Sequence, residues 1–442
     1  MIHKFTQDDT RIVLDVNSGA VHIIDEIVYD ILDYYKEKSV EEIIESLGHK
    51  YSREDIIEGV YEIKTLENEG LLFTEDTYEK HPAFVNRKPV VKAMCLHVAH
   101  DCNLRCKYCF ASQGDFKGQR SLMSEEVGKR ALDFLIENSG NRKNLEVDFF
   151  GGEPLMNFEV VKNLVEYGRS IEKPAGKHFR FTITTNGVLL NDENMDNVVL
   201  SIDGRKEVND YMRYAVNGTG SYDIIVPKFL KMAKMRNGKD YFVRGTFTRK
   251  NLDFSKDVLH LADLGFDSTS IEPVVTEDKY DYALKEEDLD TIFEQYEILA
   301  KEYVKRRKEG NGFSFFHFML DLNQGPCVIK KLSGCGAGSE YLAISPEGDV
   351  YPCHQFVGNE DFYMGNVLKK DVDTSVTADF GQAHVYNKEK CKDCWAKFYC
   401  SGGCHANAYN FNKDIHKPYE LGCEMEKKRI ECSLVIQANL LK

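Results

Sequence analysis

From about residue 90 to about 280, short apolar runs alternate with amphipathic stretches. AMCLHVA, LEVDFF, FRFTIT, NVVLSID, YFVRGTFT and STSIEPVV read as strands, being short, apolar and bounded by polar or glycine-containing turns. SEEVGKRALDFLIEN, NFEVVKNLVEYGRS and DFSKDVLHLADLG place apolar residues three and four apart, the helical period. Six strands alternating with helices predict an α/β fold, a parallel sheet with right-handed crossovers curved into a partial barrel. In such folds ligands lie at the carboxyl ends of the strands. One crossover is short. Only Val188 to Asp196 separate the TTNG turn from NVVLSID, too few residues for a loop, a helix and a loop. Either the unit is contracted there, or the chain omits a segment.

The flanking regions have a different character. In residues 1–85, RIVLDV and AVHII flank Asn17-Ser18-Gly19, a hairpin loop with glycine where a positive φ is needed. Three helical stretches follow, DEIVYDILDYYKE, SVEEIIESLG capped by Ser39, and SREDIIEGVYEIKTLENEG capped by Ser52. LLF then reads as a closing strand, giving a small winged-helix-like module. TEDTYEKHPAFVNRKP reads as a linker. The barrel is expected over 90–310, its last part a charged helix with a solvated face. Residues 312–442 are rich in cysteine, glycine and aromatics with little periodicity. Such a region cannot build a large apolar core and needs metal to hold its shape.

Composition narrows the chemistry. The net charge of −15 disfavours general affinity for nucleic acid. Within residues 1–80 acidic residues outnumber basic ones by more than two to one, against a nucleic-acid-binding winged helix. No apolar run has the length of a membrane span, and the opening MIHKFTQDDTR lacks the apolar core of a signal peptide, so a cytoplasmic protein is expected. Disulfides are rare in a reducing cytosol, so the thirteen cysteines point to metal. They fall in two blocks, Cys95 to Cys109 and Cys327 to Cys432.

Cys102-x3-Cys106-x2-Cys109 follows the first strand. Three thiolates on one loop can hold three irons of a [4Fe–4S] cube and leave the fourth open. A structural zinc site would want a fourth ligand, for which His97 or His100 are available. Phe150-Gly151-Gly152-Glu153-Pro154 ends the second strand, and its glycines allow close approach to the backbone. Thr184-Thr185-Asn186-Gly187 ends the third. Leu200-Ser201-Ile202-Asp203-Gly204 ends the fourth, with Arg213 shortly after. The signature C-N-L-R-C-K-Y-C, with these motifs behind it, resembles the radical S-adenosylmethionine (SAM) superfamily. That resemblance implies that the open iron chelates SAM, which one electron cleaves to a 5′-deoxyadenosyl radical. It also implies that Tyr108 packs near the adenine and that Gly151, Gly152, Glu153 and Pro154 approach the SAM ammonium. Thr185 and Asn186, then Ser201 and Asp203 for the ribose, and Arg213 for the carboxylate complete the expected SAM contacts.

In the second block, Cys335-x12-Gly348-x4-Cys353 precedes Cys391-x2-Cys394-x5-Cys400-x3-Cys404 and then Cys423. Zinc ribbons also use C-x2-C pairs. The full spacing is similar to the SPASM domain, which carries two auxiliary [4Fe–4S] clusters. The resemblance assigns Cys335, Cys353, Cys404 and Cys327 to one cluster and Cys391, Cys394, Cys400 and Cys423 to the other. Cys95 and Cys432 are left as thiols without metal. In formylglycine-forming sulfatase maturases an aspartate base follows the second cysteine of this block. This chain has His354 there, which argues against that activity and makes His354 a candidate for proton transfer.

The N-terminal run NSGAVHIIDEIVYDILDYY…EIKTLENEGLLF resembles the PqqD-like element that binds the leader of a ribosomal precursor peptide by adding a strand to an open sheet edge. Together with GPCVIKKLSGCGAGSEYLAISPEGDVYPCHQFVGN, the order of modules resembles the maturases of six-cysteine (SCIFF) peptides. That resemblance implies a thioether-forming radical enzyme of an anaerobic bacterium, with three [4Fe–4S] clusters and reduced ferredoxin or flavodoxin as electron donor. A related maturase making carbon–carbon links, epimerised residues or formylglycine-type oxidation is the alternative. A zinc-ribbon binding module is the competitor from a different class.

Overall fold

The computed structural model describes residues 1–80, 90–190, 195–320, 322, 332–369, 372–373 and 375–441. Cys327, most of the expected linker and residues 191–194 of the short crossover lie outside them. The N-terminal module opens with three antiparallel strands, β1 (Ile2–Gln7), β2 (Thr10–Asp15) and β3 (Val21–Ile24), in the order β1-β2-β3. Helices α1 (Glu26–Ile31), α2 (Val40–Leu47) and α3 (Arg53–Asn68) follow. β1 was not foreseen, because IHKFTQ alternates weakly. LLF forms bends rather than a strand, with Leu72 filling the module's core. Ser39 caps α2 by accepting from the Glu42 amide, and the Glu42 carboxylate reaches back to the Ser39 amide.

The barrel runs β4 (Ala93–Ala99), α4 (Glu125–Asn138), β5 (Asn144–Gly151), α5 (Phe158–Ala175), β6 (His178–Thr185), β7 (Asn197–Ser201), α6 (Lys206–Met212), α7 (Tyr222–Met235), β8 (Tyr241–Phe247), α8 (Ser255–Asp263), β9 (Ser268–Pro273), α9 (Leu289–Lys308) and β10 (Ser314–Phe315). The C-terminal module adds β11 (Tyr341–Ile344), β12 (Val350–Tyr351), the short helices α10 (Ser375–Gln382), α11 (Glu389–Lys392), α12 (Lys397–Cys400) and α13 (His405–Asn412), and a long helix, α14 (Glu420–Leu441). The strands from β4 to β12 form one nine-stranded sheet in the order β10-β9-β8-β7-β6-β5-β4-β11-β12. Neighbours from β4 to β10 are parallel, so the six predicted strands lie side by side in chain order. β11 joins β4 in parallel, Tyr341 opposite Ala93 and Ile344 opposite Leu96. The C-terminal module therefore continues the barrel sheet.

Strand alternation decides what faces inward. Leu145, Val147 and Phe149 of β5 enter the main core beneath the helices, with Leu132 and Leu135 of α4 and Leu164 of α5. Asp148 and Phe150 point the other way, into the barrel. α9 is not merely a solvated helix. Its Ile292, Tyr296, Leu299 and Tyr303 are buried, and it packs along α14. On the other side of α14, Ile430, Leu434, Val435 and Ala438 meet Phe5, Ile12 and Leu14 of the N-terminal sheet. β2 is thus buried on both faces, Val13 toward its own helices and Ile12 and Leu14 toward α14. His3 stacks on Trp395 at 3.7 Å between ring centroids, and buried Lys397 pairs with Asp76 at 2.8 Å. Among the described residues no helix is long and apolar enough to cross a membrane.

Candidate functional site

The loop after β4 carries Cys102, Cys106 and Cys109, and backbone bonds fix its course. The Arg105 and Lys107 amides donate to the carbonyls of Tyr214 and Met212 at 2.8 and 3.0 Å. The segment carrying Arg213 is thereby stitched to the cysteine loop. On the other side the Gly152 and Glu153 amides donate to Ala99 O and Asp101 O, each at 2.8 Å. A Cβ on Gly151 would stand 2.3 Å from Ala99 O, and one on Gly152 2.2 Å from Asp101 O. The paired glycines admit the cysteine loop's own backbone, a structural use for a motif read as an opening for ligand. Gly152→Ala must push that loop aside. The expected result is poorer iron uptake on reconstitution and a stability loss of about 1–3 kcal/mol, checked by iron assay and thermal melting.

Glu153 is fully buried and accepts from the Leu155 amide, the Thr185 hydroxyl and the Asn186 amide at 3.0, 2.8 and 2.8 Å. It braces the ends of β5 and β6, and neither it nor Pro154 lines the cavity. Asn186 does line it, donating to Asn103 Oδ1 at 2.7 Å and reaching Cys102 Sγ at 3.6 Å. Thr185 and Ser201 line the same space. Asp203, just beyond β7, is fully buried and holds Tyr108. The Tyr108 hydroxyl sits 2.7 Å from each Asp203 oxygen and accepts from Arg213 Nη1 at 2.9 Å. Burial pushes the Asp203 carboxyl up to about 6, against the pull of Arg213. Arg213 is itself buried, and its Nε is among the buried atoms without a partner. An unpartnered guanidinium N–H beside three thiols suits an anionic ligand group.

Tyr108, Thr185, Asn186, Ser201 and Arg213 share one cavity of about 620 Å³. Its floor is Cys102, Cys106, Cys109 and the strand ends; its far wall is Cys400, Cys404, Cys423, Glu426 and Arg429 of the C-terminal module. The thiols fall into three groups by electrostatic reach: Cys102 with Cys106 and Cys109, Cys335 with Cys353 and Cys404, and Cys391 with Cys394, Cys400 and Cys423. Burial pushes Cys102 up to about 11 and Cys106 and Cys400 up to about 12. Iron displaces those protons, so loading should release acid. Among the described residues no three His, Cys, Asp or Glu are drawn together as a single metal ion would draw them. Three thiols on the barrel loop, and three and four in the C-terminal groups, suit the corners of [4Fe–4S] cubes. Lys388, fully buried between the second and third groups, donates to Gly402 O at 2.8 Å and supplies a counter-charge.

Cys95 is fully buried behind the floor, and Cys432 is buried between α14 and Gln7. His354 lines the cavity with its Nδ1 3.1 Å from the Tyr341 hydroxyl, and burial lowers its ring to about 4. The sequence reading missed Asp148, Arg244, Glu272 and Arg429, all facing the cavity. The signal for Asp148 was present, since LEVDFF puts Glu146 and Asp148 on one polar face of an otherwise apolar strand.

Residues 91–226 match the family described as a 4Fe-4S single cluster domain, and residues 335–395 match SPASM, an iron-sulfur cluster-binding domain. The two matched segments, both described by iron–sulfur cluster binding, fall on the barrel and on the module that extends its sheet. The chain is 25% identical over 334 residues to a cysteine-type anaerobic sulfatase-maturating enzyme of Clostridium novyi, covering 70% of this chain and 86% of that one. It is 23% identical over 434 residues to the radical SAM cyclopropyl synthase TigE of Paramaledivibacter caminithermalis, covering 91% and 88%. Its fold is similar to the crystal structure of Streptococcus suis SuiB bound to precursor peptide SuiA, with a TM-score of 0.52, 18% identity and coverage of 94% and 97%.

Proposed function

We propose that this protein is a radical SAM maturase that joins a cysteine sulfur to a carbon atom within a ribosomally made, cysteine-rich peptide. The observation that carries this reading is the shared cavity, lined by the Cys102–Cys106–Cys109 loop and by thiols of both C-terminal groups. When bound, SAM and a cluster on that loop would supply a 5′-deoxyadenosyl radical, and auxiliary clusters would take up a surplus electron. Tyr108, Asn186, Ser201 and Arg213 would hold SAM against the loop, with Asp203 fixing Tyr108 and Glu153 fixing the turn of Asn186. The donor would be a reduced ferredoxin or flavodoxin in the cytoplasm of an anaerobe. In the N-terminal module β3 is an edge strand with Ile23 exposed, which suits capture of a leader as an added strand. The histidine at position 354 favours thioether formation over sulfatase-type oxidation. A carbon–carbon product is the second reading, favoured by the long match to a cyclopropyl synthase.

The test incubates anaerobically reconstituted protein with SAM, reductant and the precursor peptide encoded beside it. Each thioether should remove two hydrogens from the peptide and protect one cysteine from alkylation. Cleavage of SAM with every cysteine still alkylable would sink the thioether reading. A two-hydrogen loss that persists in peptide with its thiols blocked beforehand would establish the second.

A further inference from the structure

Thioether formation takes two hydrogens from the peptide. One leaves carbon as an atom, to the deoxyadenosyl radical. The other leaves sulfur as a proton; as the carbon radical and the thiolate join, one electron is left for an auxiliary cluster. The proton needs an acceptor inside the cavity. We propose that Asp148 is that acceptor, taking the thiol proton of the peptide cysteine as its carboxylate becomes a carboxylic acid. This assignment rests on the thioether reading.

Elimination among the cavity's carboxylates supports it. Asp148, Glu272 and Glu426 line the space. Glu272 lies 3.3 Å from His317 Nε2, 3.7 Å from Arg429 Nη1 and 3.8 Å from Arg244 Nη2, and against the effect of burial these partners hold it well below the usual carboxylate range. Glu426 is bound to Arg429. Both carboxylates are already engaged by Arg429. Asp148 has a single weak donor among the described residues, the Thr184 hydroxyl at 3.4 Å. The groups facing it are Cys95 on β4, Glu146 on its own strand, Arg244 on β8 and Tyr341 on β11, with His354 nearby against Phe150. Burial disfavours the anion and outweighs the support of Arg244 and the Thr184 hydroxyl, raising the carboxyl to about 7. A base tuned near the working pH is the effective kind, and a thiol of pKa about 8–9 is a matched donor.

The test uses the full-length, reconstituted protein with D148N and D148E. In D148N the ratio of crosslinked peptide to 5′-deoxyadenosine should fall about 10²-fold at pH 7, while D148E recovers part of it. In the parent this ratio should drop as pH falls below about 7, where Asp148 holds its own proton. In D148N it should instead rise toward pH 8–9 with ionisation of the free thiol. A melting series supplies a readout free of turnover. The folded-state carboxyl at about 7 lies above its ordinary 3.8, so burying the anion costs stability increasingly between those values. The parent's Tm should therefore fall from pH 4 to pH 7 relative to D148N, and D148N should melt no lower than the parent at pH 8. An unchanged ratio in D148N overturns the assignment. So does an equal loss of crosslink and 5′-deoxyadenosine, the mark of a residue that only shapes the cavity. If the parent itself cleaves SAM and leaves all thiols free, the thioether reading fails first and takes this assignment with it.

Discussion

Cys106→Ala protein, reconstituted with iron and sulfide, should release no 5′-deoxyadenosine above the background without reductant, a loss of at least about 10³-fold, and yet remain brown. Cys106 is the middle thiol of its loop and shares electrostatic reach with both Cys102 and Cys109. Among the described residues no neighbour stands ready to replace it. His97 and His100 are bonded to each other at 3.1 Å and packed on Phe116, while Cys95 is fully buried behind the floor. Two thiolates cannot keep a cube that already leaves one iron open, so that cluster should be lost whole. Iron should drop by about four per chain of about twelve. The remaining colour belongs to the C-terminal groups, whose thiols lie on separate elements. Cys95→Ala is the control and should keep both iron and SAM cleavage. Parent-level cleavage of SAM by Cys106→Ala would refute the placement of the radical-forming cluster.

Arg213→Met should cost the protein about 3–5 kcal/mol at pH 8, because it strands a buried carboxylate. Arg213 Nη1 stands 3.9 Å from Asp203 Oδ1 and donates to Tyr108, which in turn binds Asp203. Methionine fills much of the same volume, so the loss isolates the charge. In the parent, burial already raises Asp203 to about 6 from 3.8, and losing the cation raises it further. A carboxyl whose folded pKa is raised binds a proton more readily when folded, so acid favours the folded state. The penalty should accordingly be large at pH 8 and shrink toward pH 5, where Asp203 is protonated. By calorimetry the barrel transition should fall by roughly 10 °C at the higher pH. A pH-independent loss would mean that the side chain acts by packing rather than by charge.

The six barrel strands were legible because each is apolar on the face that meets the helices and is closed by a turn. LEVDFF and AMCLHVA coincide with β5 and β4 to within a residue. The cysteine loop was legible because its spacing is local. What escaped depends on distant partners. YLAI is too short to announce that it would extend the barrel sheet beside β4, and IHKFTQ takes its strand form from pairing with β2. Glu153 shows a different limit. Its motif marks the right turn, but only the fold reveals that the carboxylate is used on Thr185 and Asn186. Asp148 was hidden by its small size and by the louder glycines three residues on.

Leu14 and Ile430 belong to one buried apolar cluster although more than four hundred residues of chain separate them. A ribosome adding about 5–20 residues per second would take roughly 20–80 seconds to cover that distance. The N-terminal module can complete its own core early, but its stripe of Phe5, Ile12 and Leu14 stays bare until α14 emerges. During synthesis that stripe is a natural foothold for a chaperone. A nascent chain that stalls before Ile430 would keep it uncovered and carry its own mark for degradation.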